Sequence, residues 1–188
     1  PTTRRTFVAR VRELLADRPM LLAIVESLLK IRTDLLEEHG RLHKMVLDVV
    51  RADEVCRRFM SAPGVGPIVA LSFKTAIDAP ARFSRSRTVG AYLGLTPRRY
   101  QSGEIDRTGR ISKIGDRAVR TALFEAVSVL LTRVTRWSSL KAWRMRIAKR
   151  SGMKTAKVAV ARKLAVILHR MWIDGTSFRW QPASPTEV

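Results

Sequence analysis

Apolar residues between positions 20 and 52 recur on a heptad. One seam position takes Leu21, Leu28, Leu35, Leu42 and Val49, and the other takes Ile24, Ile31, Glu38, Met45 and Ala52. Nine of these ten are apolar, which is the pattern of a long helix with coiled-coil character. Leu22, Val25, Leu29, Leu36, Val46 and Val50 widen the stripe. Two arrangements satisfy it: a helical hairpin packed on its own chain, or a long helix that pairs between subunits. A short helix over residues 2–16 precedes it. Asp17 is placed to cap the long helix, and Pro19 falls in the first turn, where a missing N–H costs little. Gly40 weakens that helix near its middle by about 1 kcal/mol relative to Ala.

Further along, helical spacing returns in shorter pieces. One helix ends near Met60, Ala62-Pro63-Gly64-Val65-Gly66-Pro67 forms a break, and another helix starts at Ile68. Apolar periodicity fades after Thr96. Pro97 to Lys113 is rich in turn formers, including Ser102-Gly103 and Thr108-Gly109, so a short β-hairpin or an ordered loop is expected there. Asp116 can cap a helix over 117–135 whose apolar face is Val119, Ala122, Leu123, Ala126, Val127, Leu130, Leu131 and Val134. A shorter helix over about 138–149, a break at Ser151-Gly152 and a final helix over about 153–173 complete the pattern. The last eight residues read as frayed. The expected fold class is mainly α: a helical, coiled-coil arm (1–55), a helical domain with a small β-hairpin (56–175) and a tail (176–188).

Charge narrows the function. Lys and Arg number 36 against 16 Asp and Glu, a formal net charge of +20. Residues 1–60 hold 12 basic and 9 acidic residues, whereas residues 61–188 hold 24 and 7. So much like charge in a compact domain implies a polyanionic partner, and nucleic acid is the usual one. The lone Cys56 excludes an internal disulfide and fits a reducing cytoplasm, where a nucleoid-associated protein would work. It reads as a half-buried structural thiol. No apolar run reaches membrane-spanning length, and no secretory signal is visible. The chain starts with Pro1, so a piece of a longer protein is expected.

Three constellations carry candidate chemistry. Gly64 and Gly66 in a tight inter-helix turn let backbone N–H groups around Val65 face outward, beside the positive end of the next helix. This is the helix–hairpin–helix pattern for DNA phosphates; a plain glycine-rich turn is the alternative. The second is a basic strip comprising Arg82, Arg85, Arg87, Arg98, Arg99, Arg107, Arg110, Lys113, Arg117 and Arg120, against three acidic residues in the same segment. Arginine suits bidentate phosphate contact, and a solvated charged face is the alternative. The third is Tyr100-Gln101-Ser102-Gly103. By spacing alone Ser102-Gly103 is an ordinary turn, and a serine needs its proton removed to act as a nucleophile. His39, His43 and His169 do not cluster with Cys56, so no metal site is indicated. Glu104, Asp106 and Asp116 do not resemble a two-metal nuclease cluster. The four tryptophans read as packing residues.

Ordered motifs sharpen this picture. Ser61-Ala62-Pro63-Gly64-Val65-Gly66-Pro67 is followed by Phe83-Ser84-Arg85-Ser86 and Ala91-Tyr92-Leu93-Gly94-Leu95-Thr96-Pro97. Gln101-Ser102-Gly103, Gly109-Arg110-Ile111-Ser112-Lys113-Ile114-Gly115-Asp116 and Arg120-Thr121-Ala122-Leu123 come after them. From Met60 to about Asp174 the chain resembles the C-terminal transposase domain of the insertion-sequence 110/116/902 family. Relatives include the pilin-gene inversion recombinase and recombinases guided by a bridge RNA. The resemblance implies an N-terminal RuvC-like domain with an Asp-Glu-Asp-Asp site for Mg2+, then a coiled coil, then this domain. It implies that Ser102 is the nucleophile that joins covalently to DNA, and that DNA, a guide RNA and further copies of the chain are partners. No such acidic domain lies in these residues, so alone the chain is expected to bind DNA without recombining it. The alternatives are a non-catalytic helix–hairpin–helix module for DNA or RNA and, more weakly supported, a coiled-coil assembly protein.

Overall fold

A computed structural model of the protein describes residue 3 and residues 5–102, 104–136 and 138–180. The expected frayed tail and Trp137 lie outside these residues. The chain divides into two compact units, residues 1–47 and 48–188.

In the first unit α1 (Phe7–Leu14) turns into α2 (Pro19–Ala52), which is one uninterrupted helix through Gly40. α1 folds back on α2. The Arg12 guanidinium meets the Glu26 carboxylate at 2.6 Å and 3.1 Å, and Arg32 lies 4.8 Å from the Phe7 ring centroid. This hairpin half-buries Leu22 and Val25 and buries Leu29. The heptad seam is on a different stripe: Leu28, Ile31 and Leu35 remain 54–65% exposed. The pattern therefore encodes two apolar faces, and only one is satisfied within the unit.

The second unit is built around α8 (Met153–Asp174), whose Ala156, Val160, Ala161, Leu164, Ala165 and Leu168 are fully buried. Small residues at helical spacing let neighbours approach closely. α6 (Arg117–Thr132) and α7 (Ser139–Ser151) pack on it, as do α3 (Glu54–Met60) and the short α5 (Val89–Tyr92). α4 (Pro67–Ile77) lies against α3 and α6. Phe59 joins the layers, edge-on to Phe73 at 5.4 Å and to Trp172 at 5.6 Å. Two 3-10 turns, Pro80–Arg82 and Ser86–Thr88, link α4 to α5. β1 (Pro97–Ser102) and β2 (Ile105–Ile111) form an antiparallel hairpin. Residues 176–180 stay attached: the Phe178 N–H donates to Ser61 Oγ at 2.8 Å. No helix of the described residues is long and apolar enough to cross a membrane.

Two local devices fix the helix starts. The Asp116 carboxylate accepts from the N–H groups of Ala118 and Val119 at 2.6 Å and 3.2 Å, capping α6 as its position predicts. Asp53 caps α3 by accepting from Cys56 N–H at 2.8 Å and also pairs with Lys74 of α4. Burial opposes ionisation of Asp53, but the Lys74 ammonium and the Cys56 N–H outweigh it and hold the carboxyl below its usual range. Burial, with the Asp53 charge, pushes the Cys56 thiol up to about 11. The thiol is fully buried rather than half-buried, which makes it an inert structural group.

Two outcomes test this account. Gly64 has φ +81° and a Cβ there would overlap the carbonyl oxygen of Ala126, whereas a Cβ at Gly66 meets nothing within 4 Å. Gly64→Ala should therefore cost at least about 2 kcal/mol in denaturant unfolding and Gly66→Ala well under about 1 kcal/mol. Because the folded-state pKa of Asp53 lies below its unfolded value, the carboxylate stabilises the fold at neutral pH. That contribution is lost as pH falls through the folded-state value. Asp53→Asn should thus be about 1–2 kcal/mol less stable than the parent at pH 7, with the gap closing as pH falls below the ordinary carboxylate range.

Candidate nucleic-acid interface

The β-hairpin is mounted on a close backbone crossing. Gly94 (φ +67°) and Gly115 (φ +88°) face each other's strands: a Cβ at Gly94 would overlap the backbone of Ile114, and one at Gly115 the carbonyl of Tyr92. Ser112 N–H donates to Thr96 O at 2.9 Å and Lys113 N–H to Gly94 O at 3.1 Å. Lys113 takes the left-handed conformation at φ +58° to complete the turn. From α6, Arg120 Nη1 donates to the carbonyls of Leu93, Ile114 and Gly115 at 3.3, 3.1 and 2.8 Å. One guanidinium thus collects three carbonyl oxygens that the crossing leaves without partners.

On the hairpin, register decides which side chains share a face. Ser102 pairs with Ile105, Tyr100 with Arg107, and Arg99 with Thr108. Successive residues alternate sides, so Ser102, Tyr100 and Arg107 lie on one face and Arg99 on the other. Ser102 is exposed, at the end of β1. Gly109 leaves room beside the Tyr100 ring, which a Cβ there would meet at 3.0 Å. Arg98 donates to Ser112 O at 3.2 Å, tying itself to the base of the hairpin.

The basic strip divides into two sets. Arg120 is occupied by backbone, and Arg82 donates to Ile77 O at 3.4 Å while lying 5.7 Å from the Tyr92 ring centroid. Both were grouped by sequence with the phosphate-facing residues; the structure gives them fixed duties inside the domain. Among the described residues the side chains of Arg85, Arg87, Arg107, Arg110, Lys113 and Arg117 are exposed and enter no ion pair or hydrogen bond. Asp116, the acid nearest in sequence to Lys113 and Arg117, is spent on its cap. Arg117 occupies the first turn of α6, where the helix dipole disfavours a cation. An unpaired cation held there is a cost to the free fold that an anion would relieve.

The Pro63–Pro67 turn forms a second feature. Gly64 sits directly against α6 at Ala126 and Leu130, and Val65 is buried. Gly66, with open space around it, caps α4 without a side chain. Val65 therefore packs, and its N–H, expected from the sequence to face outward, donates to Ala62 O at 3.1 Å. Arg120 and Ala126 lie six residues apart on α6, about 9 Å along its axis, so one helix carries both the hairpin mount and the glycine turn.

Sequence reasoning missed two features. His169 is fully buried: Pro80 O lies 3.0 Å from its Nε2, Ser86 Oγ 3.0 Å from its Nδ1, and the Phe83 ring packs edge-on at 5.4 Å. It pins the segment that carries Arg82, Arg85 and Arg87. The only signal was its place beside Leu168 on the buried face of α8. Lys154 and Arg162 of α8, and Trp143 of α7, line a groove with the base of the hairpin. No spacing rule connects residues so far apart in sequence. Among the described residues no group of three or more His, Cys, Asp or Glu side chains could hold a metal ion.

Comparison with known proteins gives the relatives of this chain. Residues 56–144 match the transposase IS116/IS110/IS902 family. The chain is 36% identical over 144 residues to the transposase for insertion sequence element IS1111A of Coxiella burnetii, covering 76% of this chain and 40% of that protein. It is 30% identical over 159 residues to the transposase for insertion sequence element IS1328 of Yersinia enterocolitica, covering 80% and 48%. The chain spans less than half the length of these relatives. The region that mounts the hairpin, the glycine turn and most of the free arginines is thus a transposase domain of the IS116/IS110/IS902 family.

Proposed function

We propose that this chain is the DNA-engaging and strand-exchange part of an insertion-sequence transposase, with Ser102 as its nucleophile. The observation that carries this reading is the exposed Ser102 hydroxyl on a hairpin face shared with Tyr100 and Arg107, at the end of a strand whose base is clamped by Arg120. In the proposed step Ser102 Oγ attacks a DNA phosphorus. The Oγ–P bond forms, the P–O bond to one deoxyribose breaks, and the serine proton ends on the leaving oxygen, which becomes a strand-terminal hydroxyl. A hydroxyl of another strand then attacks the phosphoserine ester and releases Ser102. Arg107 stabilises the charge that builds on the non-bridging oxygens, while Arg99, Arg110, Lys113 and Arg117 hold the flanking backbone. The Gly64–Gly66 turn serves as a helix–hairpin–helix phosphate contact through its backbone, without sequence preference. Mg2+ belongs to an acidic RuvC-like domain outside these residues, where it would help to activate the hydroxyl. A guide RNA would supply target choice.

The unpartnered heptad face of α2 is the proposed homo-oligomer contact. Ile24, Leu28, Ile31, Leu35 and Leu42 of that seam remain more than half exposed after α1 has packed, and a partner helix with the same seam would cover them.

For the catalytic reading, Ser102→Ala in the transposase that contains this chain should abolish covalent protein–DNA adducts and recombination. DNA affinity should be retained, still falling by about a thousandfold as salt rises from about 50 to about 200 mM. Adducts surviving in that variant would remove Ser102 from the role. For the arm, Leu28→Asp with Leu35→Asp should convert the assembled species to monomer by analytical ultracentrifugation, with helix content unchanged by circular dichroism. An unaltered mass would assign assembly to another surface.

A further inference from the structure

Beside the hairpin base lies a groove of about 800 Å³ between β2, α7 and α8. Its apolar walls are Leu95, Pro97, Ile111, Val158 and Ala159, with the half-buried indole of Trp143 among them. Four cations line it: Arg110, Lys113, Lys154 and Arg162. All four are exposed, and among the described residues none of their side chains has an ion pair or hydrogen bond. The stem of Arg162 is held in place by Gly90 of α5, where a Cβ would come within 2.7 Å of its Cγ. An apolar slot with one aromatic wall and unneutralised cations matches neither a purely electrostatic backbone track nor an apolar peptide groove. It matches a nucleotide: a base for the indole and the apolar walls, and phosphates for the cations. A base stacked inside a duplex cannot enter such a slot. An unpaired or extruded one can, and it leaves the helix at the least cost where pairing is already lost.

We propose that this groove captures a single unpaired nucleotide of the DNA strand, its base against Trp143 and its flanking phosphates on Lys154 and Arg162. The inference rests on the reading of the domain as DNA-engaging and is independent of Ser102 as nucleophile. Strand exchange passes through frayed or displaced nucleotides, and a pocket next to the hairpin would hold one of them out of the way of re-pairing.

The test compares binding of this chain to a blunt DNA duplex and to the same duplex bearing one extrahelical 2-aminopurine nucleotide, by fluorescence anisotropy at fixed salt. The bulged duplex should bind about tenfold more tightly, with the 2-aminopurine emission quenched by the indole. Trp143→Leu should remove both the preference and the quenching while leaving affinity for the intact duplex within twofold; Trp143→Phe should keep most of the preference. Lys154→Gln with Arg162→Gln, at exposed positions that leave the core intact, should also reduce the preference. Equal affinity for the two duplexes, or a preference that survives Trp143→Leu, overturns the proposal. So does a preference for the bulge only when it is made of RNA. Loss of binding to both duplexes overturns the DNA-engaging reading as well, so the two failures are told apart.

Discussion

Everything distinctive in this domain hangs on the backbone crossing between residues 92–96 and 112–116. Two chain segments approach more closely than any side chain at Gly94 or Gly115 permits, and the crossing presents three carbonyl oxygens to one point, where Arg120 Nη1 collects them. A β-hairpin of two short strands is marginal by itself in water. This one is held at its base by a charged donor rooted in α6, so its orientation is inherited from the helical core. The position of Ser102 in space is therefore set some distance from Ser102 itself.

The same domain keeps a large part of its charge unneutralised. The ion pairs to Glu26, Glu38, Asp48, Glu54, Asp53 and Asp174 all lie outside the basic strip. Within the strip, arginines divide by what their guanidinium groups meet. Arg120, Arg82 and Arg98 satisfy carbonyls and shape the backbone. Arg85, Arg87, Arg107, Arg110 and Arg117 meet nothing among the described residues. The first group would weaken folding if removed and the second would weaken affinity for a polyanion. Charge alone does not separate them; the carbonyl partners do.

The longer helices are legible in the sequence because each has a clear period and punctuation: Pro19, Asp53, Asp116 and Gly152 stand at or beside the starts observed. The hairpin was less legible because residues 97–111 carry no alternating apolar pattern; it faces solvent and is held from its base rather than by a buried face. Arg120 looked like every other arginine in the strip, since carbonyls brought together by a chain crossing leave no local trace. For α2 the sequence leaves two arrangements open; Leu22, Val25 and Leu29 serve the hairpin, while Leu28, Ile31 and Leu35 stay bare. The groove was invisible because Trp143 and Arg162 look like ordinary helix-packing and helix-surface residues until α7 and α8 are brought beside the hairpin. Ser102 itself owes its prominence to family resemblance, as nothing in Ser-Gly spacing distinguishes a nucleophile from a turn.

The core explains why these functional pieces can stand on thin supports. α8 buries a row of alanines, valines and leucines against α3, α5, α6 and α7, so the elements that bear the hairpin, the glycine turn and the groove all meet one helix. His169, on that helix, holds Pro80 and Ser86 through opposite ring nitrogens. The carbonyl of Pro80 can only accept, so Nε2 donates to it, while the Ser86 hydroxyl, able to donate or accept, completes the pair at Nδ1. A segment rich in arginine is thereby anchored by an imidazole rather than by a carboxylate. A carboxylate there would also bind the segment, but it would neutralise the cations that the surface keeps free. The choice of anchor and the choice of surface charge are thus one physical decision, made where α8 meets the loop.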